Sequence, residues 1–112
     1  MASRRKLYFS DHHAFELPAG HRFPAQKYAL LRELVSAGGC WELEAAPFAS
    51  AAEIVLAHDA AYVRAFLDGT LPPQAMRRIG FPWSEGLVRR TLASVGGTLA
   101  AASQALATGF GG

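Results

Sequence analysis

The chain has 112 residues and a mass of 12.0 kDa, which is room for one domain and not two. Hydrophobic residues make up 51% and charged residues 18%; that excludes a disordered segment and is apolar for a small free-standing domain, so apolar surface is either exposed or covered by something else. Eleven Lys and Arg against nine Asp and Glu leave +2, too small an excess for a nucleic-acid protein.

Lys6-Leu7-Tyr8-Phe9-Ser10 reads as a short strand rich in aromatic and apolar residues. A loop from Asp11 to Phe23 follows, holding three of the four histidines, Pro18 and Gly20. A loop of that length in a compact domain is often functional. Pro24 suits the first turn of a helix, where its missing N–H costs nothing. Tyr28, Leu31, Leu34 and Val35 then recur at helical spacing and are expected to face inward. Gly38-Gly39 stops this helix. Trp41-Glu42-Leu43-Glu44-Ala45 alternates apolar and acidic, as a half-buried strand does, and Pro47 ends it.

Ser50-Ala51-Ala52-Glu53 spells a capping box, in which the Ser side chain accepts from the Glu53 N–H and Glu53 reaches back. The helix it opens carries Ile54, Val55 and Leu56. Asp59 caps another, with Tyr62, Val63, Phe66 and Leu67 inward and Gly69 at its end. Pro72-Pro73 begins a short basic turn containing Met76, Arg77 and Arg78. Ser84 caps the longest helix, whose Leu87, Val88, Leu92, Val95, Leu99 and Leu106 form an apolar stripe. Gly96-Gly97 inside it costs about 1 kcal/mol per Gly relative to Ala, a cost that makes sense where another backbone packs closely. The alanines from Ala100 to Ala107 read as buried by neighbours. The chain ends in Gly109-Phe110-Gly111-Gly112, a glycine-rich connection. Two strands cannot make a sheet core for this many helices, so the pattern reads as the opening of a larger α/β domain.

Chemistry is sparse. Asp11, His12, His13, Glu16 and His21 concentrate possible metal ligands on one loop, but a zinc site needs three or four ligands converging on a rigid frame. The loop therefore reads as polar, its histidines bonding to backbone or water. His58-Asp59 lacks a nucleophile beside it, and Ser84 is explained as a cap. Cys40, alone, excludes an internal disulfide framework and a multi-cysteine zinc site, and suits a reducing cytosol. Arg77-Arg78 and Arg89-Arg90 read as solvated faces. After the basic start Met1 to Lys6, the apolar run Leu7-Tyr8-Phe9 is too short for a signal-peptide core, and Leu92 to Ala107 is broken by Gly96-Gly97, Thr98, Ser103 and Gln104. The expectation is a cytoplasmic protein without membrane or nucleic-acid partners; the oligomeric state is open.

A more specific signal lies in Tyr8-Phe9-Ser10-Asp11-His12 and in Leu17-Pro18-x-Gly20-His21-Arg22-Phe23-Pro24-x-x-Lys27-Tyr28-x-x-Leu31-Arg32. These segments closely resemble the N-terminus of bacterial zinc-dependent histone deacetylase-like proteins, nearest to the class IV branch. Glu53 to His58-Asp59-x-x-Tyr62-Val63, Pro82-x-Ser84-Glu85-Gly86-Leu87-Val88-Arg89-Arg90 and Gly96-Gly97-Thr98 continue the resemblance in order, so that it covers essentially the whole chain. It implies the N-terminal part of an arginase–deacetylase-type fold, a parallel sheet flanked by helices with the active site at the carboxyl ends of the strands. Residues 1–112 would then be the first part of one such domain, incomplete by itself. Members of the family are hydrolases that remove acetyl or longer acyl groups from lysine, or acetyl groups from small amines. Zinc polarises the carbonyl and activates water there, and a histidine acts as general base.

The family's catalytic histidine pair, its Asp-x-His and aspartate zinc ligands and its tyrosine all lie downstream of the region that Gly112 reaches. His12-His13 and Asp11-x-His13 are not those motifs, since both follow the first strand. The resemblance therefore implies no catalytic residue and no bound zinc in these 112 residues, and no activity for them alone. It implies wall positions instead: His21, Arg22, Phe23 and Pro24 in the first rim loop, Lys27 near the inner cavity, and Phe81 and Pro82 in a second rim loop where Gly80 replaces a substrate-holding Asp. Partners of the full-length protein would be an acetylated lysine or a small acetylated amine. The alternative is a non-catalytic α/β interaction module that binds a partner chain.

Overall fold

A computed structural model describes residues 4–112; Met1, Ala2 and Ser3 of the basic start lie outside the described residues. Within them the elements are β1 (Arg5–Phe9), α1 (Lys27–Gly38), β2 (Trp41–Ala45), α2 (Ala51–Ile54), α3 (Ala60–Asp68), α4 (Pro73–Ile79) and α5 (Glu85–Thr108). The chain is a mixed α/β structure. Its β1 and β2 run parallel with Arg5 opposite Trp41 and Phe9 opposite Ala45, joined through α1 as a βαβ unit. α1 lies against β2 and α5 against β1.

Local chemistry sets most boundaries. Ser50 and Glu53 form the reciprocal capping box at α2. Asp59 accepts from Tyr62 N–H to open α3, and Ser84 accepts from Leu87 N–H to open α5. Gly39, Gly69, Gly80 and Gly109 close α1, α3, α4 and α5 in the left-handed region, which glycine enters without a Cβ penalty. At Gly69 a second constraint applies: a Cβ there would sit 2.9 Å from the Trp83 ring, while Trp83 Nε1–H donates to the Phe66 carbonyl at 2.7 Å. Trp83 thus clamps the end of α3 to the entry of α5.

Several sequence expectations are corrected. Pro24 is not in the first turn of α1; its carbonyl accepts from Lys27 N–H, and the helix begins three residues later. The expected inward stripe of α1 is largely open, with Leu31 exposed and Leu34 at 74% exposure. The capping-box helix ends at Ile54, leaving Val55 and Leu56 outside it, and Leu56 is 88% exposed. Tyr62 is exposed, whereas Val63 is buried. In α5 the stripe drifts out to solvent, reaching 92% exposure at Leu106, and Ala102 and Ala107 are exposed too. A straight helix at 3.6 residues per turn rotates such a stripe steadily around its axis.

The buried side of α5 is made of Leu87, Ala93, Gly96 and Gly97. The expectation of close backbone approach holds there. A Cβ on Gly96 would lie 1.8 Å from the Pro47 carbonyl oxygen, and one on Gly97 would lie 2.9 Å from Ala46 Cβ. Ala49 N–H donates to the Leu92 carbonyl at 2.9 Å, so the segment after β2 is tied to the α5 backbone. The apolar core is small: Ala46, Ala49, Val63, Leu87 and Ala93.

The molecule is a slab of 53 × 34 × 17 Å with a radius of gyration of 15.9 Å, against about 13 Å for a compact domain of this length. Its accessible surface is 7758 Å², where a folded monomer of this mass exposes about 6,000 Å². The apolar excess of the composition is therefore on the outside. Among the described residues no helix is long and apolar enough to cross a membrane.

Candidate functional site

The loop from Asp11 to Gln26 brings His21 and Phe23 together with Phe81, some sixty positions away. His21 is the pivot. Its Nδ1 accepts from Phe23 N–H at 3.1 Å, and its Nε2 lies 3.0 Å from the Gly80 carbonyl. A ring that accepts at Nδ1 and donates from Nε2 carries its proton on Nε2. The ring also stacks on Phe81, with centroids 5.5 Å apart. Phe23 meets Phe81 edge to face at 5.1 Å, and Phe15 meets it likewise at 5.4 Å, the geometry that the ring quadrupoles prefer.

Cations border this cluster. Lys27 Nζ lies 5.3 Å from the Phe23 centroid and 5.1 Å from that of Tyr28. The Arg90 guanidinium stands 4.5 Å from the Tyr28 centroid and 5.9 Å from that of Phe15. Both are within the range of cation–π attraction. Gly86 lets the loop approach α5, because a Cβ there would lie 2.7 Å from the Ala14 carbonyl oxygen. Arg22 and Pro24 are exposed and line a shallow cleft beside His21 rather than the aromatic contact itself. Pro82 is exposed next to Phe81, on a cleft that reaches Met76 and Arg77 of α4.

The beginning of the loop is arranged differently. Asp11, its side chain 7% exposed, presents both carboxylate oxygens to Arg32 Nε at 2.9 Å. The same guanidinium stands 4.8 Å from the Phe9 centroid. His12 lies edge-on to Phe9 at 5.3 Å, and His13 packs between His12 at 4.0 Å and Phe48 at 4.8 Å. Loss of water around His13, followed by the nearby His12, Arg89 and Arg90 charges, lowers its pKa below the usual histidine value. Asp11 and His13 thus face different partners, and among the described residues no three His, Cys, Asp or Glu side chains are grouped to hold a metal ion. His58 is exposed, and Asp59 is engaged as the α3 cap.

Of the candidate rim and inner-cavity residues read from the sequence, His21, Phe23, Lys27 and Phe81 converge, while Arg22, Pro24 and Pro82 stand at the margin. Sequence reasoning missed Phe15, Tyr28 and Arg90. Arg90 is not part of a solvated face as expected: it is half-buried over two rings, whereas Arg89, Arg77 and Arg78 are exposed. The signal was available in part, since Arg90 lies three residues beyond the buried Leu87 and so projects from the same side of α5.

No family model matches the chain. Over 97 residues it is 44% identical to a protein of Picosynechococcus sp. (strain ATCC 27264 / PCC 7002 / PR-6) described as uncharacterized; the match takes in 84% of this chain and 32% of that protein. The chain therefore spans about a third of the length of the curated relative it matches.

Proposed function

We propose that these residues are the opening part of a zinc-dependent, histone deacetylase-like amidohydrolase of arginase–deacetylase fold, and that they supply scaffold and pocket wall. The intact enzyme removes acetyl or acyl groups from lysine or a related amine. The observation that carries this reading is the convergence of His21, Phe23 and Phe81. The resemblance assigns these residues to two separate rim loops, and the fold packs them into one aromatic corner. The parallel pair of strands fits the α/β part of this reading, and the match to about a third of a longer relative fits its being part of a longer chain.

The residues present do not fit a zinc site. Asp11 is committed to Arg32, and His13 is wedged between His12 and Phe48. What these residues do is hold the wall. His21 ties the first loop to Gly80, Phe81 and Phe23 close over it, and Lys27 and Arg90 leave a positive border around an apolar surface. Such a wall suits the apolar stem of an acylated side chain, whose amide nitrogen no longer carries charge.

The test is hydrolysis by the intact parent protein, loaded with zinc, of an acetyl-lysine peptide and an acetylated polyamine. Chelator-sensitive release of acetate from either one is the expected result. Absence of hydrolysis of both, with zinc bound stoichiometrically, overturns the reading in favour of a non-catalytic module.

A further inference from the structure

The cations of this molecule fall into two groups. Lys6, Arg32, Arg64 and Arg89 are each paired with a carboxylate, on Glu44, Asp11, Asp68 and Glu85 respectively. Past β1, Arg22, Lys27, Arg77, Arg78 and Arg90 have no carboxylate within 4.0 Å among the described residues. These unpaired charges gather around the His21–Phe81 corner. Lys27 and Arg90 stand over its rings. Arg22 lines the cleft on the His21 side, and Arg77 lines the cleft on the Phe81 side. Arg78 follows, exposed, in the last turn of α4. The two clefts adjoin where His21 Nε2 donates to the Gly80 carbonyl and its ring stacks on Phe81.

Acids are scarce on the same ground. No Asp or Glu occurs from Gly69 to Ser84. Within the loop Asp11 is held by Arg32, which leaves Glu16. Cations in the last turn of α4 complement its carbonyl end; that accounts for Arg77 and Arg78, but not for the missing acids or for Arg22 and Lys27. One sign of charge lining two adjoining clefts concentrates the field there and draws in the opposite sign. Four of the five cations are arginines, whose planar fork takes a carboxylate through two parallel bonds. Nucleic acid fits the corner less well. Bases need open aromatic faces to stack on, and here Phe15 and Phe23 are packed edge to face with Phe81 while His21 stacks on it.

We propose that an acidic peptide segment lies across this corner, with Asp or Glu on either side of an acylated lysine meeting Arg22 in one cleft and Arg77 in the other. The acylated lysine at its centre rests on the deacylase reading given above; the acidic flanks rest on the charges alone. The two substrate classes named there are thereby separated. An acetylated polyamine or a lysine-rich tail brings further cations against Arg22 and Arg77 and is repelled, whereas an acyl-lysine set among acids is drawn in. Charges at the border of a site act on encounter and on partner choice more than on the chemistry at its centre, so Arg22 and Arg77 are specificity-determining residues and not catalytic ones.

Fluorescence anisotropy with the 112-residue chain tests this, using two labelled peptides that carry a central acetyl-lysine flanked either by Glu or by Lys. At about 20 mM salt the Glu peptide is expected to bind at least about tenfold more tightly, and at about 0.3 M salt the ratio is expected to shrink below about threefold. Arg22→Gln combined with Arg77→Gln, both exposed positions, is expected to remove most of the preference while the circular dichroism spectrum stays unchanged. Equal binding of the two peptides, binding of neither, or a preference that survives the double variant overturns the proposal. So does a single-stranded oligonucleotide that binds more tightly than the Glu peptide and displaces it, which makes nucleic acid the occupant. The readout needs no hydrolysis. An acidic preference in a protein that releases no acetate keeps this surface and removes the deacylase reading, and equally efficient hydrolysis of both peptides does the reverse.

Discussion

The two long helices use opposite means to meet the sheet. α5 buries its small residues: Ala93, Gly96 and Gly97 let its backbone press against Ala46, Pro47 and Ala49. α1 carries the large ones, and Leu30, Leu31 and Leu34 are all more than half exposed. The contrast teaches that apolar bulk does not mark the packed side of this molecule. Close backbone approach is intolerant of any added atom, whereas a leucine row without a facing element contributes little until something covers it.

Gly96→Ala is the severest way to break the α5 seam. The added methyl would lie 1.8 Å from the Pro47 carbonyl oxygen, and backbone must move to admit it, at a cost of about 3 kcal/mol. Denaturant unfolding of the chain measures this, and a loss below about 1 kcal/mol would show that the seam gives way easily. Gly69→Ala comes next: a left-handed φ of +75° and the Trp83 ring at 2.9 Å act together, for about 2 kcal/mol. Ser84→Ala removes the N-cap of α5 and is expected to cost about 1 kcal/mol in the same measurement.

The α1 side gives a sharper comparison, because its outcome depends on context. Leu34→Glu is expected to change the stability of the 112-residue chain by less than about 0.5 kcal/mol, as for other exposed substitutions. In the longer protein proposed above it costs about 2 kcal/mol or more if the leucine row is covered there. Equal, small effects in both would mean that the face stays open.

The smallest effect is the pH dependence at His13. Its folded pKa lies below the ordinary histidine value, first because of lost hydration and then because of nearby positive charge. The unfolded chain therefore binds a proton from about pH 6.5 downward that the folded chain resists. Stability is full above that point, falls as pH drops toward the folded value, and changes no further below it. His13→Phe preserves the stacking on Phe48 and is expected to flatten this part of the pH profile. An unchanged slope would assign the titration elsewhere.

Much of the fold was legible because its determinants are local. Ser50 with Glu53, Asp59, Ser84 and the closing glycines each satisfy helix-end groups within a few residues, and Pro73 starts α4 where no N–H is needed, so spacing alone reveals them. The alternation in Trp41–Ala45 is equally short-range. The aromatic cluster was legible in His21, Phe23, Lys27 and Phe81 but not in Phe15 or in its geometry, since His21 and Gly80 are bonded across 59 positions. The Asp11–Arg32 pair was not legible at all, and for Arg90 only its side of α5 was, because no periodic pattern links a loop carboxylate or a helix arginine to its distant partner.

The amino-acid order by itself determined the strand Trp41–Ala45 and the capped ends of α2, α3 and α5, because caps, turns and alternation are decided by neighbours along the chain. Only the tertiary structure decided which helix faces are buried and that Phe110 and Gly112 return to the edge of β1. Burial depends on what stands opposite a residue in space, and hydrophobicity written along one strand of sequence carries no record of the facing surface.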